Sequence, residues 1–281
     1  MKIRFIIIAF GLLIFVSCGK QDNAQTAENQ QEDITENSDQ DLIVTKDIEY
    51  TVDGKQYKSH LAYDGMISGE RPVVYILPEW WGTTDYAKSR ANQIAELGYL
   101  AVVVDMFGEG GFVDIPEKAQ QQTQPIYENP DFAKKLFEAA IDHSKTLEEA
   151  DDTKLAAIGY CFGGAMVLNF AREGEPLKGV VSFHGNLSTG VKISSNAVPM
   201  LVLNGEADSF ISAEDIQSFK DEMNKGGVDF TFINYPGALH SFTNPEATEV
   251  GKKFGMNIAY NKEADEASWN EMKSFLAKIF E

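Results

Sequence analysis

Residues 159–164 read GYCFGG, a glycine-flanked stretch between two apolar segments. Residues 155–158 before it are LAAI, and residues 164–171 at its end are GAMVLNFA. This order predicts a buried strand that turns sharply into a helix. A strand, a tight G-x-S-x-G turn and a helix together form a nucleophile elbow, and here Cys161 stands at the position of the serine. The stretch therefore predicts a cysteine at the tip of a strand-to-helix turn, either a nucleophile or a small core residue, and the rest of the chain decides between them.

Strands and helices alternate on both sides of this turn, which predicts an α/β fold with a mostly parallel sheet covered on both faces. Alternating residues around Asp53 and Gly54 predict an antiparallel hairpin before it. Residues 106–129 are rich in Gly, Gln and Pro and predict a long irregular loop. The apolar runs that predict strands are residues 73–77, 100–104, 179–183, 200–204 and 230–234, and the predicted helices are residues 84–97, 131–148, 213–225 and one from about 263.

The first residues, MKIRFIIIAFGLLIFVSC, have the organisation of an export signal. Lys2 and Arg4 form a positive end, and the apolar core after them is shorter than the roughly 20 residues of a membrane span. The end of the segment resembles a bacterial lipoprotein signal, in which Cys18 is lipidated and becomes the new N-terminus. Phe15 departs from the leucine usual at its position, and an ordinary export signal with a chance cysteine is the alternative.

Residues 18–42 predict a flexible tether, because they are rich in Gln, Asn, Glu and Asp and contain no aromatic residue. The predicted organisation is a signal peptide over 1–17, a lipidated cysteine and acidic tether over 18–42, and one domain over 43–281. We expect an exported lipoprotein with a lipid anchor in a membrane, at the periplasmic face or the cell surface.

The chain is strongly acidic, which limits its partners. Its 281 residues include 24 Lys and Arg against 43 Asp and Glu, for a formal net charge of −19 at pH 7. This charge argues against nucleic acid as a partner. If Cys18 carries lipid, Cys161 is the single remaining cysteine, and no disulfide can form within the chain.

A cysteine nucleophile needs a base for its proton, and the base needs an acid to orient it. The chain has four histidines. His60 and His143 lie on a predicted hairpin strand and an upstream helix, where surface or boundary roles are expected. His184 ends a predicted strand, and His240 lies in a loop directly after the last strand. His240 is therefore the candidate base.

The orienting acid should end the strand between the nucleophile and the histidine. Residues 200–208, MLVLNGEAD, supply Asp208 at that place, with Glu206 as a weaker alternative. The order nucleophile, acid, histidine is the order in which α/β-hydrolases carry their triad. The candidate triad is therefore Cys161, Asp208 and His240.

These motifs also resemble those of the dienelactone hydrolase family over about residues 45–281. The similar stretches are GYCFGG at 159–164, GEAD at 205–208, HSF at 240–242, and AY at 259–260 with ASW at 267–269. The resemblance implies the α/β-hydrolase fold and hydrolysis of an ester, lactone or thioester bond through an acyl-enzyme. We expect a small-molecule substrate, no cofactor and no metal.

The resemblance further implies a glutamate after the third strand, and the stretch PEWWG at 78–82 puts it at Glu79. In the family this carboxylate lies beside the thiol and helps to generate the thiolate when substrate arrives. A surface-loop acid is the alternative. The backbone N–H groups of Phe162 and Trp80 are the candidate oxyanion hole.

One departure from the family bears on the substrate. Family members hold a substrate carboxylate with arginines, one of them four residues after the histidine, where this chain has Asn244. Without that cationic fork, we expect a neutral ester, lactone or thioester. The candidate pocket residues are Trp81, Phe107, His184 and Asn244, and further aromatic side chains that could be walls or core are Trp80, Phe112 and Tyr127.

Two other functions fit the same residues. A binding protein could keep the fold and lack turnover, which the missing arginines allow. A thiol sensor would use reversible oxidation of Cys161. The presence of Asp208, His240 and Glu79 favours the hydrolase, because a sensor needs no oriented triad.

Overall fold

A computed structural model describes residues 42–281 of the chain. The strands are β1 (Ile43–Val52), β2 (Lys55–Asp64), β3 (Arg71–Leu77), β4 (Leu100–Val103), β5 (Ala150–Tyr160), β6 (Val180–Phe183), β7 (Met200–Gly205) and β8 (Phe230–Tyr235). The helices are α1 (Asp85–Glu96), α2 (Pro116–Glu128), α3 (Pro130–Ser144), α4 (Phe162–Glu173), α5 (Ala213–Gly226), α6 (Ala247–Phe254) and α7 (Lys262–Phe280).

The strands form one sheet in the order β1-β2-β4-β3-β5-β6-β7-β8. β2 pairs antiparallel with β1 and β4, and every later pair is parallel. The predicted hairpin is confirmed, with Asp53 and Gly54 at its turn in left-handed backbone conformations. β5, which leads to Cys161, lies in the interior of the sheet between β3 and β6. The sheet therefore places residues 161, 184 and 208 at one edge, where the parallel strands end.

Apolar side chains fill both faces of the sheet. β3 sends Val73, Tyr75 and Leu77 into one core cluster and Val74 and Ile76 into the other, as the two-residue period of a strand requires. The first cluster also includes residues of α2, α3, α4 and α5, and the second includes residues of α1 and α7. This layered arrangement confirms the predicted fold, a mostly parallel sheet with helices on both faces.

The prediction of an irregular loop over residues 106–129 is wrong for its second half, which forms α2. Pro116 occupies the first turn, where its missing N–H costs nothing. Ala119, Thr123 and Ile126 are buried at helical spacing against the core. The Gln and Pro content of the segment favoured a loop prediction, although its apolar residues have the spacing of an amphipathic helix.

The predictions for the signal peptide, Cys18 and nearly all of the tether fall on residues 1–41, outside the described residues. Within residues 42–281, no helix combines the length and the apolar character needed to cross a bilayer.

Candidate functional site

The turn between β5 and α4 adopts the geometry of a nucleophile elbow. Cys161 has φ 53° and ψ −112°, a conformation that costs a non-glycine residue about 1–3 kcal/mol and persists only when its surroundings enforce it. A Cβ atom on Gly159 would collide with the backbone of Gly163, and one on Gly163 would collide with the carbonyl of Leu77. Both glycines are therefore required for α4 to approach the sheet this closely.

The Cys161 side chain is partly exposed at the N-terminus of α4. Its own N–H donates to two acceptors, Phe183 O at 3.0 Å and His184 Nδ1 at 3.1 Å. The free N–H groups of a first helical turn favour negative charge at this position. The arrangement suits a sulfur that becomes anionic during a reaction.

Asp208 and His240 come together across two loops. His240 Nδ1 donates to Asp208 Oδ2 at 2.7 Å, and Phe210 N–H donates to Asp208 Oδ1 at 2.8 Å. Burial by itself lowers the pKa of His240, but the nearby Cys161 and the hydrogen bond to Asp208 outweigh it and raise the pKa from 6.5 to about 10. The structure thus brings together all three residues of the candidate triad, with the acid oriented on the histidine.

This raised pKa predicts a pH-dependent stability. The folded chain binds the His240 proton more tightly than the unfolded chain, so the stabilisation is complete below about pH 6.5 and disappears as the pH rises through about 10. We expect the difference in unfolding free energy between wild type and His240→Gln to shrink from pH 7 to pH 10, as measured by urea denaturation. A difference that stays constant over this range would contradict the assignment.

Glu79 lies in the interior, 3% exposed, behind the histidine loop. Its carboxylate accepts Ser241 Oγ–H at 2.9 Å and Asn244 Nδ2–H at 2.7 Å. Burial raises the pKa of Glu79, and these two donors offset part of that rise. Within residues 42–281, no hydrogen bond joins Glu79 to Cys161. Asn244 stands where the family has an arginine, and it contacts Glu79 through its neutral amide.

The two candidate oxyanion-hole groups are available to a ligand. Among the described residues, neither the Phe162 N–H nor the Trp80 N–H has a hydrogen-bond acceptor. Gly82 N–H donates to Glu79 O at 3.0 Å and Gly163 N–H donates to Pro78 O at 3.0 Å, which ties the loop of Trp80 to the first turn of α4. Free donors on two adjoining turns can stabilise a developing negative charge.

Two of the predicted pocket residues lie in the interior instead. Phe107 is 6% exposed and packs against Phe162 in the core, with ring centroids 6.3 Å apart. His184 is fully buried, and its ring nitrogens are bonded to Cys161 N–H and to Thr243 Oγ1. Both side chains are thus part of the interior, and neither is among the walls of the cleft that contains Trp81 and Asn244.

Trp81 and Asn244 do line a cleft, of about 450 Å³, beside the loop of Glu79. Cys161 and His240 are not among its walls. Further lining residues are Phe112, Val113, Val250, Phe254, Lys88 and Lys253.

Aromatic side chains also lie at the triad itself. Phe210 is 57% exposed and packs edge-on against the His240 ring at 5.0 Å, a role that sequence reasoning missed. Phe210 lies two residues after Asp208, and this closeness in sequence to the candidate acid could have indicated its place beside His240. Tyr127, at 37% exposure, packs edge-on against Phe162 at 5.3 Å. Aromatic rings therefore pack against His240 and against Phe162, the residue after Cys161.

Within residues 42–281, no group of three or more His, Cys, Asp or Glu side chains offers a metal site.

Comparison with known proteins points to one family. The sequence profile of the dienelactone hydrolase family matches residues 62–280. A Saccharolobus solfataricus protein, provisionally named a carboxymethylenebutenolidase, is 26% identical over 272 residues that cover 83% of this chain and 98% of the relative. An Aquifex aeolicus protein of the same provisional name is 24% identical over 185 residues, covering 64% of this chain and 80% of the relative. The crystal structure of a dienelactone hydrolase-like promiscuous phosphotriesterase from metagenomic libraries superposes with a TM-score of 0.79 at 31% identity, covering 85% of this chain and 99% of that chain.

Proposed function

Because the chain belongs to the dienelactone hydrolase family and is a hydrolase of ester or lactone substrates, we propose that it acts through a Cys161–His240–Asp208 triad and an acyl-enzyme. The observation that supports this most is the 2.7 Å hydrogen bond from His240 to Asp208, next to a sulfur on a strained elbow. The substrates we propose are small and neutral.

The reaction begins when Cys161 Sγ attacks the substrate carbonyl as a thiolate, with its proton held on His240. A carbon–sulfur bond forms, and the carbonyl oxygen becomes an oxyanion that accepts hydrogen bonds from the N–H groups of Phe162 and Trp80. The carbon–oxygen bond to the leaving group then breaks, and the leaving oxygen takes the proton from His240. Water attacks the resulting thioester, His240 takes the proton of that water, and the acid leaves as Sγ is regenerated.

Neutral substrates fit the polar groups that surround the triad. Asn244 offers a neutral amide that is already bonded to the Glu79 carboxylate, at 2.7 Å. Exposed aromatic side chains lie near the triad and along the cleft, namely Tyr127, Phe210 and Phe112, and the cleft also carries both acidic and basic side chains. A substrate carboxylate would therefore face a buried carboxylate and apolar rings instead of a cationic fork.

Steady-state turnover of a panel of p-nitrophenyl esters and lactones tests the activity. Hydrolysis that disappears in Cys161→Ala supports the proposal. Tight substrate binding without turnover would indicate a binding protein. Sulfenylation of Cys161 by peroxide without ester turnover would indicate a thiol sensor.

Substrate charge provides a sharper prediction. We expect neutral esters to be hydrolysed with a higher kcat/KM than their carboxylated analogues, because the chain lacks the charge-assisted hydrogen bonds that contribute roughly ten- to a hundred-fold to the recognition of a carboxylate. Asn244→Arg should shift the preference toward the anion by about ten-fold, since a guanidinium has enough donors for both Glu79 and a substrate carboxylate. Asn244→Gln, which keeps a neutral amide, is the control.

A wild-type preference of ten-fold or more for the carboxylated substrate at moderate salt would overturn this prediction. Lys88 or Lys253, which line the adjacent cleft, would then be the source of positive charge.

We also propose that Cys18 is lipidated and anchors the chain to a membrane. The proposal is supported by the signal-like residues 1–17 and by an apolar core too short to serve as a stable span. Cys18→Ala should abolish incorporation of labelled fatty acid and release the protein from the membrane fraction. Retention of the variant through a carbonate wash would contradict the lipid anchor.

A further inference from the structure

His184 is a fully buried histidine whose two ring nitrogens have different partners. Nδ1 accepts the Cys161 N–H at 3.1 Å, and Nε2 lies 2.9 Å from Thr243 Oγ1. A nitrogen that accepts carries no proton, so the ring is neutral with its proton on Nε2, which donates to Thr243. Burial and the charge of His240 both lower the pKa of His184 well below 6.5, which keeps this ring neutral.

Thr243 is itself held in place from outside the triad. It lies three residues after His240, is fully buried, and its Oγ1 is 2.7 Å from Tyr86 Oη of α1. Arg90, also on α1, donates to Thr243 O at 2.7 Å and forms an ion pair with Asp265 of α7. Thr243 is thus bonded to α1 through both its hydroxyl and its carbonyl, and Arg90 links this contact to α7.

The N–H that His184 accepts belongs to the most strained residue of the elbow. Cys161 keeps φ 53° only while its surroundings over-determine it, and one of its two acceptors is the imidazole of His184. The next N–H along the chain is that of Phe162, the candidate oxyanion donor. A displacement of the Cys161 peptide would therefore move the sulfur and this donor together.

We propose that His184, held in place by its hydrogen bond to Thr243, is a positioning residue that holds the Cys161 backbone for attack and aligns the oxyanion hole. This role rests on the proposed function, because it concerns the same nucleophile. His184 touches no substrate, so its effect should appear in kcat with little change in KM.

The test compares two replacements of similar size in the full-length protein. His184→Leu removes the acceptor, whereas Oδ1 of His184→Asn can take the place of Nδ1. Because asparagine also adopts the φ of 42° at this position more readily than leucine, a pair of variants at Thr243 provides the comparison without this backbone effect. With p-nitrophenyl acetate, we expect His184→Leu to lower kcat by about ten-fold or more with KM within about two-fold, since a lost hydrogen bond to a positioned group has roughly this effect. His184→Asn should recover kcat to within about three-fold of wild type. His60→Leu, on β2, is the matched control and should leave kcat within about two-fold.

A second pair of variants removes and restores the hydroxyl that binds His184 Nε2, and with it the contact to Tyr86 Oη. Thr243→Val removes the hydroxyl and should lower kcat by about three-fold or more, whereas Thr243→Ser should restore it. This pair decides the matter if His184→Leu fails to fold, as judged by circular dichroism. Equal kcat for the Val and Ser variants, or a folded His184→Leu with wild-type kcat, would overturn the positioning role.

The proposed function fails separately from this role. Its failure appears as wild-type turnover that persists in Cys161→Ala, or as no turnover in wild type. Turnover that disappears in Cys161→Ala but is the same in wild type and a folded His184→Leu would instead overturn the positioning role and leave the proposed function standing.

Discussion

Cys161→Ala should lower kcat/KM for p-nitrophenyl acetate by about a thousand-fold or more, because in the proposed mechanism the thiol forms the covalent intermediate. His240→Ala should cause a loss of similar size. Residues that act as one unit give strongly non-additive losses, so the double variant should be little worse than either single one. Steady-state kinetics of the three variants, with folding checked by circular dichroism, provide the measurement.

Two results would contradict this expectation. Losses that multiply in the double variant would mean that Cys161 and His240 contribute independently. A Cys161→Ala enzyme that keeps more than about a tenth of the wild-type rate would mean that the sulfur forms no essential bond. Tyr127→Phe is a suitable control, because it retains the ring that packs edge-on against Phe162 and removes only a hydroxyl.

The elbow and the order of the triad could be predicted from the sequence because each is encoded locally. Gly159 and Gly163 must lack side chains where α4 meets the sheet, and both lie only two residues from Cys161 in the sequence. Asp208 and His240 follow predicted strands, and parallel strands bring their carboxyl ends to one edge. The sequence pattern therefore predicts that these residues lie at one edge of the sheet.

The buried polar contacts could not be predicted in the same way. His184 and Thr243 are 59 positions apart, and Glu79 and Asn244 are 165 positions apart, so no local pattern records either pair. The sequence showed His184 only as the end of a strand, a place that suits a pocket residue as well as an interior one. Which of the two it becomes depends on how the histidine loop folds over it, and this is settled by packing across the sheet edge.

Asp208→Asn should lower kcat by about a thousand- to ten-thousand-fold, the loss expected when a triad histidine is held in the wrong tautomer. The structure explains why the amide cannot substitute here. Oδ1 of Asp208 accepts the Phe210 N–H at 2.8 Å, so an asparagine must keep its oxygen on that side. Its NH₂ group then faces His240 Nδ1, which must accept instead of donate.

With Nδ1 as an acceptor, the His240 proton moves to Nε2, and that nitrogen can no longer take a proton from Cys161. Glu206→Gln is the matched control, because Glu206 is the exposed alternative acid two residues earlier. If Glu206→Gln costs more activity than Asp208→Asn, the orienting acid is Glu206. If neither variant loses more than about ten-fold, the 2.7 Å bond from His240 to Asp208 supports the fold of the loop and contributes nothing to proton transfer.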